Sequence, residues 1–121
     1  MARVADYSIL IDEWWTEAFS PSPIEFTVPD NINKDSRSIL GFKFRYWNED
    51  EMTVTVELNA VSVWHWKVPA TGGDLTFRYI QEVIPKGLAV PGTNRLTVHS
   101  DSFDYRYVAI SDVVLWWQAD I

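Results

Sequence analysis

Apolar and polar residues alternate with a period of two along most of this chain, and this alternation restricts the fold more than any other feature. The clearest run is MTVTVEL at residues 52–58, where every second residue is apolar. Successive side chains of a strand point to opposite faces, whereas a helical pattern repeats every 3.6 residues. Turn residues separate the alternating runs. The pattern predicts strands near 6–11, 24–28, 38–47, 52–58, 61–68, 74–80, 94–100 and 108–118.

Eight short strands at this spacing indicate an antiparallel sandwich or barrel. A short helical turn is expected around Glu13–Phe19. The 121 residues are enough to bury one core without disulfides or metals, and the chain shows neither a repeat nor a linker. We therefore predict a single all-β domain over residues 1–121.

The composition excludes several classes of protein. There is no Cys, which rules out a disulfide scaffold and a thiol nucleophile. A cysteine-free domain folds equally well inside or outside a cell, so the composition assigns no compartment. The net charge of −7 argues against nucleic acid and anionic membranes as partners. No apolar run has the length of a signal peptide or a membrane helix, which predicts a soluble domain.

Motifs in the second half of the chain resemble those of galactose-binding-like jelly rolls, as found in glycosidase sugar-binding domains and carbohydrate-binding modules. The first is TVTVELNAVSV at 53–63, with Asn59-Ala60 where the family often has Asn-Gly. The others are VIPKGLAVPGTNRLTV at 83–98 and AISDVVLWW at 109–117. The resemblance covers about half of the chain. It implies a jelly-roll sandwich of two antiparallel sheets with about eight strands, a fold that hosts many functions besides carbohydrate binding.

Signatures of catalysis are missing from the sequence. His65 and His99 are the only histidines, and they have no metal-ligand spacing, so structural or surface roles are favoured. No nucleophile elbow or phosphate loop is present. We therefore predict a non-enzyme without catalytic residues, metal ligands or cofactors. An enzyme with two facing carboxylates is the third hypothesis.

Two acidic segments offer oxygen ligands. Glu49–Glu51 is best interpreted as a solvated turn. The segment 30–35 has calcium-type oxygens but lacks the central Gly and terminal Glu of an EF-hand loop. The jelly-roll resemblance keeps a structural calcium ion as an alternative there.

Seven tryptophans exceed what a core of this size needs. Trp116 and Trp117 are adjacent, so one of the two must leave the core if they lie in a strand. Trp116 is predicted on the outer face, as a candidate interface residue. For the pair Trp64 and Trp66, either face of the strand remains open as the buried one. The predicted inner residues of the last strand are Val113, Leu115 and Trp117.

One end of the sandwich collects candidate ligand-binding side chains. If successive strands run up and down, the loops 12–23, 48–51, 69–73 and 101–107 share one end. The loops of the other end contain no Trp. Aromatic faces stack on sugar rings, while carboxylate, amide and guanidinium groups bond sugar hydroxyls. The candidates are Trp14, Trp15, Trp47, Asn48, Glu49, Asp101, Asp104, Tyr105 and Arg106.

Two functions of different classes follow. The first is a non-catalytic domain that binds carbohydrate through this aromatic-rich loop end. The alternative is a protein-interaction or self-assembly module, in which Trp116 anchors the interface of a homo-oligomer. Extra Trp residues on a sheet face favour assembly, whereas Trp residues in loops favour a ligand.

Overall fold

The chain folds into a β-sandwich of two four-stranded sheets in a computed structural model, which describes residues 3–11, 24–100 and 108–120. The predicted strands are confirmed, with small shifts at their ends. No helix in these ranges could cross a membrane. The helical turn predicted at Glu13–Phe19 lies outside them. The strands are β1 Arg3–Ile11, β2 Ile24–Val28, β3 Ile39–Tyr46, β4 Met52–Leu58, β5 Val61–Val68, β6 Thr76–Val83, β7 Gly92–Ser100 and β8 Val108–Asp120.

The strand order identifies the sandwich as a jelly roll. The first sheet has the order β1-β8-β3-β6 and the second has the order β2-β7-β4-β5. All pairings are antiparallel. Apart from the β4–β5 hairpin, consecutive strands lie in opposite sheets, which is the double Greek-key arrangement of a jelly roll. The predicted fold class is confirmed.

The inner faces of the two sheets form one core, and the ring contacts settle the orientation of Trp64 and Trp66. The Trp64 ring lies edge-on to Phe42 and Phe44, at centroid distances of 5.3 and 5.7 Å. The Trp66 ring meets Tyr46 at 5.4 Å. Edge-to-face packing of this kind adds about 0.5–1.5 kcal/mol per pair beyond the buried area. The face of β5 that carries both tryptophans is therefore the inner one.

Strand β8 divides its residues between the faces as predicted. Trp117 is buried together with Val113 and Leu115, whereas Trp116 is half-buried on the outer face. A bulge at Asp112, which has a φ of 49°, changes the register between β8 and β3. Because of the bulge, the Asp112 carboxylate pairs with Lys43 Nζ at 3.1 Å on the outer face.

The described connections collect at the two ends in the predicted way. At one end, Asn48 Nδ2 donates to the carbonyl of Pro69 at 3.1 Å, which joins the β3–β4 and β5–β6 connections. At the other end, the amide of Ile84 donates to the carbonyl of Ser38 at 2.7 Å. The connections 12–23 and 101–107 lie outside the described residues.

The Asn59-Ala60 hairpin is a two-residue turn with both residues in the left-handed region, at φ 49° and 67°. A turn of type I′ requires a positive φ at both central residues. This conformation costs about 1–2 kcal/mol for a residue that has a Cβ. Replacing Ala60 with glycine removes this strain but also gives the unfolded chain more freedom, which offsets part of the gain. The net result expected is a free energy of unfolding that is higher by about 0.5–1 kcal/mol. Urea denaturation measures the change.

Gly72 provides the mirror control for this prediction. Its φ is also +67°, and a Cβ there would meet no atom within 4 Å. Gly72→Ala should therefore destabilise the domain by about 1 kcal/mol through backbone strain alone. A loss of stability in Ala60→Gly would show that the hairpin does not depend on this turn geometry.

Candidate functional site

The outer face of the second sheet is polar, and its charged side chains pair with one another. Arg95 Nε lies 3.3 Å from Glu25 Oε1, and His99 Nε2 lies 3.4 Å from Glu57 Oε2. His65 Nδ1 lies 2.8 Å from the hydroxyl of Thr55. Both histidines therefore take part in cross-strand contacts at a surface that has the ordinary character of a solvated sheet.

The outer face of the first sheet has the opposite character. Among the residues that the structure describes, nine large apolar side chains are exposed, and only Val61 and Val90 lie elsewhere. A clustered apolar face on one side of an otherwise polar domain marks a binding surface. The seven that belong to this sheet or to the turn before β6 are Tyr7, Ile9, Ile39, Leu75, Phe77, Tyr79 and Val83.

Gly41 in the centre of this face allows two rings to lie against the sheet. A Cβ at this position would be 2.6 Å from Tyr79 Oη and 2.7 Å from Trp116 Cζ3. Because Gly41 has no side chain, the tips of both rings come down onto the β3 backbone. We refer to this outer face of the first sheet, with the Tyr79 and Trp116 rings close to Gly41, as the platform.

A groove runs along the edge of this platform between β3 and β6. It consists of two concavities of about 350 Å³ each. The backbone register places them side by side, since Arg45 pairs with Phe77 and Lys43 pairs with Tyr79. We define the β3–β6 groove by its lining residues Lys43, Arg45, Trp47, Gly73, Leu75, Phe77, Arg78 and Tyr79.

Two arginine residues that line the groove lie over tryptophan rings, one within the groove and one at the edge of the sandwich. The guanidinium carbon of Arg45 is 5.3 Å from the centre of the Trp47 ring. The guanidinium carbon of Arg78 is 4.6 Å from the centre of the Trp66 ring, at the open edge between the sheets. Such contacts contribute about 0.5–1 kcal/mol at exposed sites and fix the position of the charge. The groove therefore combines flat rings with positioned hydrogen-bond donors.

The structure places four of the residues that the sequence selected. Trp47 is half-buried in the groove, Glu49 is exposed in the turn beyond it, and Trp116 lies on the platform. Asn48 is buried, and its amide donates to the carbonyls of Asp50 and Pro69. Asn48 therefore joins the β3–β4 and β5–β6 connections, beneath the surface of the loop end that the sequence predicts as the binding site. Trp14, Trp15, Asp101, Asp104, Tyr105 and Arg106 lie outside the described residues.

Of the residues that line the groove, only Trp47 was selected from the sequence. Leu75, Phe77 and Tyr79 alternate with polar residues, which is the signal of a one-sided strand. The pattern gives no sign that their shared side faces solvent, because β6 is an edge strand whose apolar side would normally face the core. In the tertiary structure, the side of β6 that carries Phe77 and Tyr79 faces solvent.

The segment 30–35 forms a turn anchored to the end of β8. Asn33 Oδ1 accepts hydrogen bonds from the amides of Asp35 and Ser36, at 2.9 and 3.1 Å. Its Nδ2 donates to Asp120 Oδ1 at 2.8 Å. The side-chain oxygen of Asn33, which a calcium ion in this segment would need as a ligand, therefore already accepts two hydrogen bonds. Within the described ranges, no group of three or more Asp, Glu or His side chains could hold a metal ion.

Neither a family model nor a curated protein matches this chain. Solved structures resemble it. Dimeric latent PorU from Porphyromonas gingivalis matches over 98% of this chain and 13% of that chain, with 9% identity and a TM-score of 0.64. The cleaved adhesin domain of Lys-gingipain from Porphyromonas gingivalis matches over 76% of this chain and 60% of that chain, with 14% identity and a TM-score of 0.50.

A third similar structure is the CBM36-1 domain of a multidomain xylanase from the hindgut metagenome of Trinervitermes trinervoides. It matches over 99% of this chain and 100% of that chain, with 10% identity and a TM-score of 0.46. At such low identity, the similarities to PorU and Lys-gingipain show a shared fold. The chain spans about an eighth of the first protein's length and less than two thirds of the second's. The jelly roll that the sequence motifs implied is confirmed.

Proposed function

We propose that this chain is a non-catalytic carbohydrate-binding domain whose ligand lies in the β3–β6 groove. The observation that carries the proposal is a row of exposed rings beside hydrogen-bonding side chains. Phe77 and Tyr79 pair across the backbone ladder with Arg45 and Lys43, and Trp47 continues the row at one end. Ring faces stack on the C–H surface of a sugar, while the cations donate to its hydroxyls.

The groove also accounts for the loop end that the sequence selected. Trp47 lies where the groove meets the β3–β4 and β5–β6 connections, and the sequence predicts loops 12–23 and 101–107 at this same end. Trp14, Trp15 and Tyr105 would then extend the row of rings beyond Trp47. Their contribution is part of this proposal.

Replacing Tyr79 with alanine is expected to weaken glycan binding at least tenfold, because stacking on one ring is lost and the wall of one concavity disappears. Isothermal titration with glycans selected on a broad array measures the affinity. Tyr7→Ala is the matched control. Tyr7 is exposed to a similar extent, 56% against 51%, but lies at the β1 side of the same face. Its removal should leave the affinity unchanged.

An array on which the folded protein binds no glycan would contradict the proposal. Equal losses of affinity in Tyr79→Ala and Tyr7→Ala would place the ligand across the whole platform instead of in the groove.

A second candidate function is protein interaction or self-assembly through apolar residues that cross the platform from β1 to β6. The observation that favours it is the row formed by Tyr7, Trp116, Ile39 and Val83 in the backbone register, with Ile9 beside it. Aliphatic side chains of this kind suit a protein surface better than a sugar. In this case the Tyr7→Ala control would change the sedimentation coefficient of a concentrated sample, with Trp116 as the anchor of the interface.

A further inference from the structure

We infer that the ligand of the β3–β6 groove is an acidic glycan, one that carries carboxylate or sulfate groups. This inference rests on the proposed function. Its starting point is a third concavity, of about 470 Å³, at the opposite end of β6. Arg37 and Lys86 are among its lining residues, together with Val83, which belongs to the same apolar face as Tyr79.

The three concavities follow one another along residues 73–86, and we call them together the basic track. The two of the groove contribute Lys43, Arg45 and Arg78, so the track holds five of the ten Lys and Arg residues of the chain. None of the described residues that line these concavities is acidic. The protein as a whole has 17 acidic residues and a net charge of −7. Asp112 neutralises part of this positive charge by pairing with Lys43, and the remaining cations favour an anion beside the apolar wall.

The cations of the track are held in ways that suit recognition of an anionic group. Arg45 lies over the Trp47 ring, which holds its guanidinium group in position. Arg78 lines one concavity, and its guanidinium group lies over Trp66 at the open edge between the sheets. A planar guanidinium binds a carboxylate or sulfate through two parallel hydrogen bonds. Lys43 pairs with Asp112, but both side chains are about half exposed. An exposed ion pair contributes little, so a ligand anion can compete for the lysine.

The spacing of rings and charges favours an acidic glycan over a nucleic acid. Duplex DNA carries a charge about every 1.7 Å, and a strongly acidic protein repels such a dense polyanion. An acidic glycan carries its charges farther apart, with neutral ring faces between them. Phe77 and Tyr79 offer apolar surface directly opposite Arg45 and Lys43, so rings and charges lie side by side along the groove. The eight residues of β6 span roughly 26 Å, which is the length of an oligosaccharide.

The test compares two forms of one polymer, polygalacturonate and its methyl ester, together with heparin as the sulfated arm. Titrations use the full chain at low and at high ionic strength. We expect the carboxylate form or heparin to bind at least tenfold more tightly than the neutral ester. We also expect the difference to shrink at high salt, because exposed charges are screened. Whichever polymer binds more tightly identifies the anionic group.

A pair of charge variants locates the effect. Arg37→Gln combined with Lys86→Gln should weaken binding of the acidic polymer about tenfold and reduce its dependence on salt. The matched control is Lys67→Gln combined with Arg95→Gln. It removes the same charge from the outer face of the second sheet, where both residues pair with glutamates. This control should leave binding of the acidic polymer unchanged.

The outcomes separate this inference from the proposed function. Affinities for polygalacturonate and for heparin that are both no higher than the affinity for the ester would overturn the acidic specificity and leave carbohydrate binding standing. Equal weakening in the two charge variants would overturn the track as the site. Binding of an RNA oligonucleotide as tightly as the acidic glycan would overturn the assignment to carbohydrate. A folded protein that binds no glycan at all would overturn both proposals.

Discussion

Replacing Phe44 with alanine is expected to lower the free energy of unfolding by about 3–5 kcal/mol. The side chain is 1% exposed, and its ring contacts Tyr46, Trp64 and Trp66 at centroid distances of 5.4–6.2 Å. Its loss opens a cavity in the core where the two sheets meet. A domain of this kind has about 5–15 kcal/mol of stability in total, so much of it would be lost. Urea denaturation followed by tryptophan fluorescence measures the change.

Phe77→Ala is the matched control, since it makes the same substitution on the opposite face of the first sheet. Phe77 is 60% exposed, so its loss should change the stability by less than about 1 kcal/mol. For binding we expect the opposite order, because Phe77 lines the proposed site: Phe77→Ala should weaken the glycan affinity. A loss of stability in Phe77→Ala as large as that in Phe44→Ala would show that the outer face is covered by a partner in solution.

Replacing Asn94 with alanine is expected to destabilise the domain by about 3 kcal/mol or more, because several polar groups would be buried without partners. Asn94 is fully buried. Its Oδ1 accepts from the amide of Val90 and from Asn59 Nδ2, both at 2.9 Å. Its Nδ2 donates to the carbonyls of Val90 and Gly92, at 2.8 and 3.1 Å. Thermal and urea denaturation measure the loss.

Asn31→Ala serves as the control for this prediction. The Asn31 side chain is exposed and donates one hydrogen bond, to the carbonyl of Asp120 at 3.1 Å. Its loss should cost less than about 1 kcal/mol. Equal stability of Asn94→Ala and Asn31→Ala would show that the hydrogen bonds of Asn94 do not hold the start of β7 to the β4–β5 hairpin.

The Asn94 network also explains the family resemblance of the sequence. In PGTN, Gly92 takes a φ of 86° and Asn94 ties the turn to the Asn59 hairpin. These residues shape the jelly roll and lie at the end opposite Trp47. The motif consequently predicted the fold correctly and carried no information about the ligand.

The proposed site was only partly predictable. Adjacent Trp residues and the up-and-down order of strands selected the loop end that contains Trp47. The aromatic groove residues of β6 were missed, because their alternation alone would place Phe77 and Tyr79 in the core. The interior side of β6 instead holds Ile80, while Arg78 covers Trp66 at the open edge of the sandwich.

By itself, the sequence determined the number and approximate positions of the strands and the division of β4 and β8 into inner and outer residues. This information is local, because a period of two fixes which neighbours share a face. The tertiary structure alone decided which faces meet solvent and which strands are neighbours. Lys43 and Tyr79 face each other only because β3 pairs with β6, and Trp116 joins them only because β8 lies on the other side of β3. Such pairings join residues far apart in the chain, and no local pattern specifies them.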